Sequence, residues 1–246
     1  MFSFLKSSKE KFPQVISLAA LESDWHCHLL PGNDDGAQNE EQSLEMLRCY
    51  VQLGIKKIVA TPHVRADFYQ NTHASILEAQ RKVQNLITTH RLPLHLEASA
   101  EYFADENFFE LINDDLLLPI DNQYILFELP MQNASLWGMK LVEMLHKKGF
   151  VPVLAHPERY RYWHGKSREW NLWKDKGVYF QLNLLSLTGY YGAAERRAAE
   201  QLLEDDFIDA VGTDAHGVRH LHKLGELAKN PLFEKIQQLP LLNRLG

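Results

Sequence analysis

Short apolar runs rich in Val, Ile, Leu and aromatic residues recur at 22–28, 57–62, 94–101, 124–129, 151–155, 177–182 and 208–213, each about one strand long. Between them apolar residues repeat at helical spacing. Glu40 to Leu53 carries Leu44, Leu47, Tyr50 and Val51 on one side and stops at Gly54. Thr72 to His90 carries Ile76, Leu77, Val83, Leu86 and Ile87 behind a start at Asn71 or Thr72. Further helices are expected over 105–113, 134–148, 167–176, 192–205 and 219–229, with Gly149 and Gly177 at helix-to-strand junctions. This alternation predicts a parallel α/β sheet with right-handed crossovers. No repeat, low-complexity tract or long linker divides it, so one domain is expected over 1–246, with an N-terminal extension over 1–20.

Composition narrows the class. The 246 residues are 45% hydrophobic and 24% charged, enough for a substantial core. A formal charge of −6 and a pI near 6.1 give no bulk attraction for nucleic acid or anionic lipid. The start, Met1 to Pro13, is broken by Lys6, Lys9 and Lys11, and no run is long enough to span a bilayer, so membrane insertion is not expected. Two cysteines, Cys27 and Cys49, form no disulfide framework and point to a reducing cytoplasm.

Metal-ligating residue types gather where the strand runs end. His26 and His28 are one residue apart, so on a strand both imidazoles face one side while Cys27 faces the other. The turn Pro31-Gly32-Asn33-Asp34-Asp35-Gly36 follows and can bring a carboxylate back over the strand end, with Asp35 as the expected ligand and Asp34 either orienting a histidine or serving the turn alone. His63 follows Thr61-Pro62, Glu101 and Glu128 close two apolar runs, His156 precedes Pro157, and Asp214 and His216 recur at i and i+2. A lone carboxylate there would be as well explained by a salt bridge, and a lone histidine by a local hydrogen bond. That plainer reading is kept for His73, His90, His95, His146 and His164, and His220 and His222 are read as solvated. In a parallel barrel all strand C-termini open onto one face, so the strand-end set converges into a cluster of nitrogen and oxygen ligands suited to divalent transition metals.

In order, His26-x-His28, Asp35, His63, Glu101, Glu128, His156 and Asp214-x-His216 resemble the ligand set of the polymerase and histidinol phosphatase (PHP) superfamily of phosphoesterases. The stretches His26 to Gly36, Ala60-Thr61-Pro62-His63, Ala155 to Tyr160 and Gly212 to His216 look more narrowly like the manganese-dependent protein-tyrosine phosphatases of bacterial capsular and extracellular polysaccharide synthesis. One departure stands out: Val64 occupies the place where the family often has a second histidine.

The resemblance implies a distorted (β/α)7 barrel of PHP type. It also implies three divalent ions, manganese with iron or zinc possible, and attack on phosphorus by a metal-bound hydroxide. The implied substrate is a phosphotyrosine protein, the tyrosine kinase of a polysaccharide co-polymerase. Arg159, three residues after His156, and Arg219, three after His216, are the candidates for phosphate contact, with Arg65 as a third. His216 joins the catalytic candidates as well as the ligands. No arginine stands six positions after either cysteine, so no cysteine phosphatase loop is present. A histidinol-phosphate phosphatase would carry a Cys-x-His element after the first motif, which Leu29 to Gly36 lacks. An amidohydrolase would place a lysine where Glu128 stands, and a polymerase exonuclease would sit in a longer, basic chain. A non-catalytic module with structural metal would favour cysteine ligands in a closed site.

Overall fold

All strand pairings are parallel, as strand–helix alternation requires. The structure is a computed structural model that describes residues 16–135 and 137–244, so most of the expected N-terminal extension lies outside the described residues. Among the described residues nine strands form where seven runs were expected. They are β1 (Ser23–Cys27), β2 (Lys57–Ala60), β3 (His63–Val64), β4 (His95–Ala98), β5 (Glu101–Phe103), β6 (Tyr124–Glu128), β7 (Val151–Ala155), β8 (Tyr179–Asn183) and β9 (Ala210–Gly212). They make a three-stranded sheet, β1-β2-β4, and a six-stranded sheet, β3-β5-β6-β7-β8-β9.

The extra strands come from interruption. Proline has no N–H for a ladder, and the chain steps at Thr61-Pro62 before resuming as β3. Its neighbour steps at Ser99-Ala100 before β5. The two neighbouring segments stay bonded to each other across their breaks, through the Ser99 N–H to Ala60 O bond at 2.8 Å and the Glu101 N–H to Pro62 O bond at 3.1 Å. At the far edge Cys27 bridges Ala215 in parallel, which sets β1 beside the segment leaving β9.

Helices follow the expected positions closely: α1 (Glu40–Leu53), α2 (His73–Thr89), α3 (Glu106–Asn113), α4 (Gly138–Lys147), α5 (Ser167–Asp175), α7 (Ala193–Glu204) and α8 (Val218–Lys223). Thr72 caps α2 by accepting from the Ser75 N–H, and Ser75 returns the bond in a capping box. Two further short helices had no periodic signal, α6 (Leu184–Leu187) and α9 (Phe233–Gln238). Beyond α8 the chain tightens into a 3-10 helix, Leu224–Lys229, so the expected single helix is two.

Alternate strand residues serve two cores. Leu126, Val153 and Ala155 join Trp25, Val59 and Ala210 in an interior cluster, while Ile125, Phe127 and Leu154 pack outward with the helices. The interior cluster is an apolar plug inside the sheet. β1 breaks its alternation on purpose: its register with β2 shifts between Asp24 and Cys27. The irregularity lets Trp25 join the plug and still leaves His26 and His28 facing the same cluster of ligands, a re-aiming role common to bulges beside active sites. Cys27 belongs to the outer core, opposite the histidines, as the alternation predicts.

Candidate metal centre

Backbone geometry delivers the ligands. β3 and β5 pair His63 with Glu101, so His63 Nδ1 meets Glu101 Oε2 at 2.9 Å. His156 and Asp214 leave their strands with left-handed φ values of 37° and 50°, uncommon for residues with a side chain and typical of constrained sites. The 31–36 turn folds back so tightly that a Cβ on Gly36 would lie 1.9 Å from His28 O, so glycine is required there. That turn places Asp34 beside His28 and Asp35 at the mouth.

Three overlapping groups result: His28, Asp35, His63 and His216; His26, His28 and Asp214; His63, Glu101 and Glu128. Within each group the ligand atoms lie within 4.8 Å of one another. His156, expected as a ninth ligand, lies outside these groups, its Nε2 2.9 Å from Glu101 Oε1. His26, His28 and Glu101 are wholly buried, whereas Asp35 is 56% exposed.

Hydrogen bonds at the far side of each imidazole set the tautomers. His26 Nδ1 donates to Gln181 Oε1 at 2.8 Å, and His28 Nδ1 donates to Asp34 Oδ2 at 2.7 Å. His216 Nδ1 donates to the Asp214 carbonyl at 2.9 Å. In the neutral rings, all three Nε2 atoms are therefore lone pairs aimed into the cluster. The lone pair of His26 also faces Glu101 Oε2 at 3.2 Å, the same buried carboxylate oxygen that His63 Nδ1 meets at 2.9 Å. Such electron-rich atoms hold together only around a cation, either protons or a metal. The donor set therefore fits divalent metals.

Protons are the competing cation. Burial disfavours a charged His26, yet Glu101 and Asp214 outweigh it and push its pKa up to about 9. Burial opposes His63 likewise, and Glu101 and Glu128 carry it to about 12. Burial would raise the carboxyls of Glu101 and Asp214, but the surrounding histidines, His26 foremost, hold both well below the carboxylate range. His156 shifts the other way, kept neutral by burial and by the Arg159 charge.

Asp214 is oriented from behind. Its Oδ1 stands 3.2 Å from His28 Nε2, while Oδ2 accepts from Arg159 Nη1 at 2.9 Å, Asn183 Nδ2 at 2.7 Å and Tyr191 Oη at 3.2 Å. The Arg159 guanidinium also lies 4.4 Å over the Tyr191 ring. A cavity of about 550 Å³ opens over the cluster, and Asp35, His63, Arg159, Asp214 and His216 line it. Aromatic residues Phe68, Tyr69, Tyr190 and Tyr191 line it too.

The arginine expectations divide. Arg159 reaches both the cavity and a ligand. Arg219 is exposed on α8 and does not line the main cavity; it lines a neighbouring one of about 320 Å³ with Gln42, Glu45 and His216. Arg65 lines the main cavity, but its guanidinium is layered between Phe68 and Phe103 at 4.6 and 4.2 Å. His220, expected to be solvated, lines the cavity and bonds Tyr190 Oη at 2.8 Å. Its spacing of four from His216, on the first turn of a short helix, was the available signal. Gln181, Asn183 and Tyr191 carried none, being polar positions within or after an apolar strand.

The family described as capsular polysaccharide synthesis, CpsB/CapC, matches residues 22–229. The tyrosine-protein phosphatase YwqE of Bacillus subtilis is 34% identical over 197 residues, spanning 80% of this chain and 78% of that protein. The tyrosine-protein phosphatase CpsB of Streptococcus pneumoniae is 26% identical over 204 residues, 79% of this chain and 83% of that one. A crystal structure from work on these two proteins, described there as metal-dependent tyrosine phosphatases, superposes with a TM-score of 0.78 at 30% identity. It covers 90% of this chain and 94% of the other. The strand-end cluster of candidate ligands, the parallel α/β fold that presents it and these likenesses agree, and the chain belongs to the CpsB/CapC family of capsular polysaccharide synthesis.

Proposed function

We propose that this chain is a metal-dependent protein-tyrosine phosphatase acting in capsular or extracellular polysaccharide synthesis. Its substrate is a phosphotyrosine protein, the tyrosine kinase of a polysaccharide co-polymerase. The observation that carries the reading is the convergence of the His26, His28 and His216 lone pairs with buried carboxylates at a cavity that Arg159 also lines.

Three ions, manganese with iron or zinc as substitutes, match the three ligand groups, in which His28 and His63 are shared. Bound there, they would supply a deprotonated water at neutral pH and neutralise phosphoryl charge. His156 completes the set by holding Glu101 in place. Arg159 spends one N–H on Asp214 and keeps its other donors for phosphoryl oxygens. His216 acts as a ligand, because Nδ1 is committed to a carbonyl and Nε2 faces Asp35 at 3.4 Å.

The nine strands read as seven staves of a distorted (β/α)7 barrel in a single domain, with β2/β3 and β4/β5 each one broken stave. Among the described residues no helix is long and apolar enough to cross a membrane, and two free cysteines suit a cytoplasmic location. The test is a panel on manganese-loaded protein: phosphotyrosine peptide, histidinol phosphate and single-stranded DNA. Phosphotyrosine hydrolysis lost to EDTA is the expected result. Preference for histidinol phosphate would move the chain to another PHP activity, and full turnover in excess EDTA would remove the metal reading.

A further inference from the structure

Burial normally draws aromatic rings inside, yet Phe68 is 67% exposed and Tyr190 46% exposed. They come from separate loops, before α2 and before α7, and both line the cavity at the metal centre. Each is fixed from behind. The Arg65 guanidinium braces the Phe68 ring, and paired backbone bonds between Arg65 and Tyr69, 2.9 and 3.0 Å, close the loop that carries it. Tyr190 Oη meets His220 Nε2 at 2.8 Å, and His220 Nδ1 accepts the His216 N–H at 3.1 Å. The Tyr191 ring stands edge-on to Tyr190 with centroids 5.0 Å apart. Two wet aromatic faces are thus tied to the segments that carry His63 and His216.

A rigid exposed ring gains stability only when something flat and apolar covers it. The rest of the lining is phosphate chemistry, with Arg159 beside the ligand set. A phosphomonoester with an aromatic leaving group satisfies both halves of the cavity, whereas an alkyl phosphate leaves the rings in water. We propose that Phe68 and Tyr190 are specificity-determining residues that clasp the aryl ring of the substrate and select aryl over alkyl phosphates. The inference rests on the phosphatase reading above.

Binding of phenylphosphonate and propylphosphonate to manganese-loaded protein, measured by calorimetry, tests it without turnover. Phe68→Ala and Tyr190→Ala should each lower the phenyl-to-propyl affinity ratio by about 3–10-fold, the scale of one aromatic contact. Phe68→Tyr should restore the ratio, and Phe68→Leu, apolar without a ring face, should recover only part. A wild type that binds both phosphonates equally, or variants that keep the wild-type ratio, would overturn the clasp and leave the phosphatase reading standing. A wild type that binds neither would remove both.

Discussion

His26 and His28 point their Nε2 atoms at each other across 3.2 Å while each Nδ1 donates elsewhere, to Gln181 and to Asp34. Two lone pairs in that posture repel unless a cation lies between them. The arrangement therefore stores its affinity in residues one layer removed from the ligands. Asp34 is the busiest of them, for it also accepts the backbone N–H groups of His63 and Gly36 at 2.9 Å.

Asp34→Ala should accordingly weaken metal retention by roughly 10–100-fold, the usual cost of losing such a partner. Gln181→Leu should fall in the same range, acting through His26 alone. Competition against a graded series of chelators measures this. Wild-type retention in both variants would mean that the imidazoles need no orienting bond.

The same cluster sets a pH dependence. His26 and His63 titrate near 9 and 12 when protons rather than metals hold the carboxylates, against an unfolded value near 6.5. Raised histidine pKa values mean that the folded state binds protons more tightly. Their stabilisation is full below pH 6.5 and declines above it, the loss being complete once pH has passed about 9 for His26 and about 12 for His63. Chelator-stripped protein should therefore lose thermal stability between pH 6.5 and 9. Manganese must displace those protons, so loading should release protons and tighten over the same interval. Melting curves of stripped and loaded protein across that window decide it, and a stripped protein that gains stability toward pH 9 would contradict the assignment.

Much of this cluster could be read from sequence because its candidate ligands sit on or beside strand ends, where alternation and parallel order fix direction. His26-x-His28 needed only a period of two. Glu101 and His63 fall in the candidate groups although they stand differently from the expectation: both open new strands rather than following the ends of old ones. The breaks at Thr61-Pro62 and Ser99-Ala100 depend on how two staves shear past each other, which no local pattern encodes. Tyr190, Tyr191 and His220 escaped for a similar reason. Tyr190 and Tyr191 stand on a loop that tertiary packing alone brings to the cavity, and the one hint for His220, its spacing of four from His216, does not say which way that packing turns its ring.

Neither cysteine is equipped to act as a nucleophile. Burial pushes the Cys27 thiol well above its ordinary value, and Cys49 is raised to about 11, again by burial first. Replacing both with Ala should leave turnover of phosphotyrosine peptide largely intact. Cys27 has no exposed surface, so its loss should cost about 1 kcal/mol of stability from the small void left behind. A phosphoenzyme trapped on either sulfur would reverse the mechanism.

Arg159 offers the sharpest functional test, because its two contacts make separable demands. Its charge is supported by Asp214 against the cost of burial, and its plane is supported by the Tyr191 ring. Arg159→Ala should remove a charge-assisted contact to the phosphoryl group worth about 1.5–3 kcal/mol, roughly 10–150-fold in kcat/KM. Arg159→Lys should recover only part, since an ammonium keeps the charge but neither the fork nor the flat face over Tyr191. Asp214 Oδ2 would still hold Asn183 Nδ2 and Tyr191 Oη in both variants, so metal content should remain near wild type. Kinetics on phosphotyrosine peptide at fixed manganese, with elemental analysis of the same samples, separate the possibilities. Metal lost in parallel with activity would make Arg159 a support for Asp214 and nothing more, and wild-type kcat/KM in Arg159→Ala would dismiss it from substrate recognition altogether.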